Sequence, residues 1–82
     1  MNDILIELLI PALGESLDAT IPATAQIHEI IALLVKAARK QSEGRFRTID
    51  PILCDCIDGI PLPSNGTPIE LGLKNGARLM LI

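Results

Sequence analysis

The chain has 82 residues, a net charge of −3 and 49% hydrophobic residues, with Phe46 as its only aromatic. So short a chain closes one core, and 1–82 is read as a single domain with an aliphatic interior. The acidic balance and the lack of aromatic surface exclude general nucleic-acid binding, which needs a cationic face and stacking platforms.

Positions 4, 6, 8 and 10 are Ile, Ile, Leu and Ile, alternating with Asp3, Leu5, Glu7 and Leu9, which predicts a first strand with one strongly apolar face. No apolar run reaches the roughly 18 residues that span a bilayer. The first strand also carries Asp3 and Glu7 with no Lys or Arg before it, unlike a secretory signal, so a cytoplasmic setting without direct membrane insertion is expected. Pro11 to Glu15 supplies a turn, and Leu17, Ala19 and Ile21 alternate into a second strand that Pro22 ends.

Thr24 is the expected N-cap of one helix, with apolar residues at 27, 30, 31, 34 and 38 facing a sheet and His28, Glu29, Ala32, Lys36 and Arg39 facing water. Gly44 closes the helical region, and 45–50 reads as a loop or an extended lead-in. Five of the seven basic residues, Lys36, Arg39, Lys40, Arg45 and Arg47, fall here. They read either as cations favoured at a helix C-terminus and in a solvated loop, or as a docking patch for an acidic partner.

Ile52 to Ile57 predicts a third strand with Cys54 and Cys56 inward and Leu53 and Ile57 outward; a bulge would reverse part of that assignment. The two cysteines share a strand face, where a disulfide would be strained, so reduced thiols are expected. Asp58-Gly59 marks a turn, the prolines at 61, 63 and 68 an irregular connection, Ile69 to Leu73 a helical turn, and Ala77 to Ile82 the last strand. The element order predicts an α+β fold, a mixed four- or five-stranded sheet with one covering helix.

The segments Asp58-Gly59-Ile60-Pro61-Leu62 and Ile69-Glu70-Leu71-Gly72-Leu73-Lys74-Asn75-Gly76-Ala77-Arg78-Leu79, in this order of elements, resemble the ubiquitin-like β-grasp fold over the whole chain. Within it, Asp18-Ala19-Thr20-Ile21-Pro22 followed by Ile27-His28-Glu29-Ile30-Ile31-Ala32-Leu33-Leu34-Val35 is similar to the YukD/EsaB family of small ubiquitin-like proteins. That family is associated with type VII (ESX-type) secretion systems of Gram-positive bacteria. The resemblance implies a cytoplasmic accessory or regulatory protein that acts by contact, with no catalytic residue and no cofactor, recruited to a membrane only through a partner. The sequence stops on the last strand without the Gly-Gly tail of conjugated β-grasp carriers, so binding is expected rather than conjugation.

Catalytic and metal chemistry find little footing in the residues. His28 lacks an orienting partner in sequence, and Cys54 with Cys56 supplies only half of a usual zinc set. No glycine pattern forms a phosphate cradle. The interface expected instead is the sheet face opposite the helix, where alternation sends Leu5, Leu9, Met80 and Ile82 outward. Its occupant would be a secretion-system component or a second copy of the chain. The alternative is an accessory subunit of a multicomponent enzyme such as a diiron monooxygenase, burying the same face.

Overall fold

The computed structural model describes residues 3–82. Strands β1 (Asp3–Ile10) and β2 (Glu15–Pro22) form an antiparallel hairpin, helix α1 (Ile27–Gln41) follows, and β3 (Leu53–Asp55) and β4 (Ala77–Leu81) complete a sheet ordered β2-β1-β4-β3. β1 pairs with β4 in parallel, while β3 pairs with β4 antiparallel, so the sheet is mixed. Ile4, Ile6, Leu8 and Ile10 are buried and register against Ile21, Ala19, Leu17 and Glu15 of β2. Gly14, at φ +65°, takes the left-handed conformation that closes the hairpin turn, and its N–H donates to Pro11 O.

The inner face of the sheet is covered by α1, whose buried residues Ile27, Ile30, Leu34 and Ala38 repeat at helical spacing. Its N-cap is Gln26, not Thr24, and the Glu29 carboxylate accepts from the Gln26 N–H at 3.4 Å. The displacement has a tertiary cause. The first-turn N–H groups of Ile27 and His28 donate to Gly66 O and Ser64 O at 2.9 and 3.0 Å, so the connection after β3 satisfies amides that a side-chain cap would otherwise serve.

At the other end, Gly44 N–H donates to Arg39 O and Glu43 N–H to Lys40 O, the paired bonds of a Schellman closure. Glu43 holds φ +55° there, a position that usually belongs to glycine. Phe46 then turns inward and is 1% exposed, so the core is not purely aliphatic as composition suggested. Its N–H donates to the Ser42 hydroxyl at 3.1 Å, which anchors the loop where its aromatic ring enters the core.

β3 is shorter than the sequence suggested and faces the other way. Leu53 registers with Leu81 and both are fully buried, whereas Cys54 registers with Met80 on the opposite face. Pairing with β4 sets this parity, because three residues are too few for periodicity to do so. The Asp55 carboxylate accepts from Ile57 N–H at 2.7 Å and ends the strand in a turn that leaves Ile57 almost fully exposed. Residues 60–62 return along the outer edge of β3, with Leu62 N–H donating to Leu53 O and an isolated bridge between Cys54 and Pro61. A single helical turn after Thr67 packs Leu71 and Leu73 against the core, as the sequence suggested for this stretch.

Candidate functional site

The alternation that buries one side of β1 turns Leu5, Glu7 and Leu9 to the other, and the register extends this outer face over the whole sheet. Leu9 lies opposite Met80, and Met80 opposite Cys54. Next along, Ile82 and Ile52 exchange both backbone hydrogen bonds at 2.7 and 2.9 Å, and each is 43% exposed. Leu9 and Met80 are half-buried. Beside Leu9, the hairpin turn leaves an open cleft of about 360 Å3 lined by Leu9, Ile10, Pro11, Gly14, Glu15 and Ser16.

Leu5 is set apart from this group. Glu7 lies opposite Arg78, and Arg78 Nε donates to Glu7 Oε1 at 2.9 Å, with Asp18 on the other side of Glu7. This polar row crosses the face between Leu5 and Leu9. Both partners are well exposed, so the pair contributes roughly 0–1 kcal/mol to stability. Its consequence is spatial, since it divides one apolar face into two. Leu5, 51% exposed, sits beyond it, where its N–H donates to Asn75 Oδ1 and its carbonyl accepts from Gly76 N–H. Of the four residues singled out in the sequence, the fold therefore brings Leu9, Met80 and Ile82 together and separates Leu5. Ile52 was missed; the signal for it was its position two residues before Cys54, on the same strand face and two pairs along the β3–β4 ladder from Cys54 and Met80.

No family model matches the sequence, and no curated protein matches it. Solved structures do match. The ubiquitin-like domain of EccD5 from Mycobacterium xenopi superposes with a TM-score of 0.83 at 21% identity, over 100% of this chain and 94% of that one. A chain of the MycP5-free ESX-5 inner membrane complex superposes at 0.87 and 17% identity, over 100% of this chain and 21% of its own length. A chain of a toluene 4-monooxygenase HD complex gives 0.77 at 10% identity, covering 98% of this chain and 96% of that one. The chain has the ubiquitin-like β-grasp fold. In β-grasp terms the helix covers the inner face, and the face just described is the one left open.

Among the described residues of this β-grasp chain, the remaining polar groups lie apart from one another. His28 is exposed, and its Nε2 lies 2.6 Å from Gln26 Oε1, an amide and not a carboxylate. Both cysteines are free thiols, Cys54 buried and Cys56 partly so. Burial pushes the Cys56 thiol up from its ordinary value, against the opposing pull of the Arg78 guanidinium, which leaves it protonated and weakly nucleophilic at neutral pH. Among the described residues no three His, Cys, Asp or Glu side chains converge to hold a metal ion. No helix among them is long and apolar enough to cross a membrane.

Proposed function

We propose that this chain is a single-domain, cytoplasmic protein-interaction module of a type VII secretion system, accessory or regulatory in role, which acts by contact and without catalysis or conjugation. The observation that carries the reading is the open apolar group of Leu9, Met80, Ile82 and Ile52, on a fold that superposes from end to end on the ubiquitin-like domain of EccD1, a type VII secretion system protein of Mycobacterium tuberculosis, with a TM-score of 0.79 at 16% identity. Apolar side chains gathered on an uncovered sheet face lower the free energy of the molecule when a partner takes them out of water. Leu5 provides a second contact across the Glu7–Arg78 row. The similarity of residues 18–35 to the YukD/EsaB family supports a secretion-system component as the partner; a second copy of the chain is the other occupant to test.

Crosslinking and pull-down of the tagged protein from its native host, beside the Leu5→Glu, Met80→Glu form, tests this reading. Recovery of a secretion-system membrane component or ATPase, lost in the double variant while its helical circular dichroism persists, is the expected result. Undiminished binding by the double variant would remove this face from the interface. An adduct on Ile82 in the mass spectrum would overturn the unconjugated reading.

A second reading has its own support. The likeness to a chain of a toluene 4-monooxygenase complex fits an accessory subunit that buries the same face in a permanent enzyme assembly. Stoichiometric co-purification with oxygenase subunits separates it from the first.

A further inference from the structure

The charge of this chain is unevenly distributed along its sequence. Residues 36–47 hold five cations and one carboxylate, Glu43, a net of +4, while the rest of the chain carries −7 to give the total of −3. All five cations are exposed. Lys36, Arg39 and Lys40 lie on the last turns of α1, and Arg45 and Arg47 on the loop that follows. Arg45 is tied to Glu15 at 3.3 Å, but among the described residues Lys36, Arg39, Lys40 and Arg47 form no ion pair. The same loop carries Ile49, which is 86% exposed and lies two residues from Arg47.

We propose that this pole docks on an anionic lipid bilayer, with the cations at the headgroups and Ile49 reaching the interface. Two observations favour a bilayer over an acidic peptide. The cations are spread over two elements, and the cleft at this end, lined by Gln41, Ser42, Glu43 and Arg45, takes in only one of them with a carboxylate beside it. A planar, laterally continuous anionic surface engages the whole set, whereas a peptide lying in one groove does not. An exposed aliphatic side chain two residues from a cation also gains from the acyl boundary what an acidic peptide does not supply. Two carboxylates besides Glu43 stand at this site, Glu15 paired with Arg45 and Asp50 beside Ile49; the other acidic residues are repelled by the same surface, which orients docking. The association is peripheral and salt-sensitive. It does not depend on which protein covers the outer sheet face.

Flotation of the purified protein with vesicles of phosphatidylcholine alone, or mixed with phosphatidylglycerol, tests the proposal. Binding is expected only to the anionic vesicles, and is lost at high salt. Each cation near such a surface multiplies affinity roughly fivefold, so the Lys36→Gln, Arg39→Gln, Lys40→Gln form should bind roughly a hundredfold more weakly. Ile49→Ser should weaken vesicle binding by about tenfold or more, and leave any binding to polyglutamate unchanged. Lys74→Gln, outside the cluster, should leave vesicle binding as it is. The proposal is overturned if anionic vesicles are not preferred, if the triple variant floats like the parent, or if Lys74→Gln is as damaging as the cluster changes. Binding to polyglutamate without binding to vesicles would assign the pole to an acidic protein instead. Circular dichroism of each variant confirms that these exposed substitutions leave the fold in place.

Discussion

The two faces of one sheet are made from similar residues and have opposite fates. The inner face carries polar residues only at its ends, Glu15 and Asp55, with Ile4, Ile6, Leu8, Ile10, Leu53, Leu79 and Leu81 all buried beneath the helix. The outer face carries Leu5, Leu9, Met80 and Ile82 on the same strands, yet its aliphatic groups are interrupted by Glu7, Asp18 and Arg78. Aliphatic content alone therefore says little about burial. What separates the faces is continuity: a face whose polar residues stand only at its ends finds its cover within the chain, and one interrupted across its middle stays open for contact.

The sharpest way to break this contrast is to truncate adjacent residues of β1. Leu8→Ala empties a fully buried site and should cost about 3 kcal/mol, whereas Leu9→Ala on the half-buried outer side should cost under about 1 kcal/mol, both read from urea unfolding. Equal losses would mean that the outer face is as much a part of the core as the inner one. Ser42→Ala asks how far the inner face depends on the loop that supplies Phe46. It leaves a buried N–H without its acceptor, and a loss of about 1–2 kcal/mol is expected in the same assay.

Glu43→Gly should raise stability by about 0.5–1 kcal/mol, because glycine adopts the left-handed closure of α1 without the steric cost. The smallest stability effect belongs to the polar row itself. Glu7→Gln should shift unfolding by no more than about 0.5 kcal/mol. Replacing Glu7 and Arg78 together with Leu would fuse the two apolar groups, and increased binding of a hydrophobic dye is the expected readout.

Much of this division was legible in the sequence. The alternation of residues 3–10 placed the inner and outer sides of β1 correctly, and the helical stripe at 27, 30, 31, 34 and 38 identified the cover, with Ile31 only half-buried at its edge. Two of the failures share a cause, a contact distant along the chain. Carbonyls at Ser64 and Gly66 moved the helix start from Thr24 to Gln26, and Leu81 fixed the facing of Leu53 and hence of Cys54. Phe46 is buried because Ser42 anchors its backbone, a local bond that hydrophobic periodicity does not register. At the site, Glu7 was visible as a polar interruption. That it pairs with Arg78 and so parts Leu5 from Leu9 needed the parallel register of β1 on β4.

That parallel register also has a mechanical meaning. Traction applied to the start of β1 and the far end of β4 would load the rungs from Ile6–Ala77 to Leu9–Met80 together, in shear. Traction between Asp3 and Pro22, which face each other at the open end of the hairpin, would peel its rungs apart one after another. The same small fold is thus stiff along one line of force and weak along another, and the way it is tethered within an assembly decides which of the two it presents.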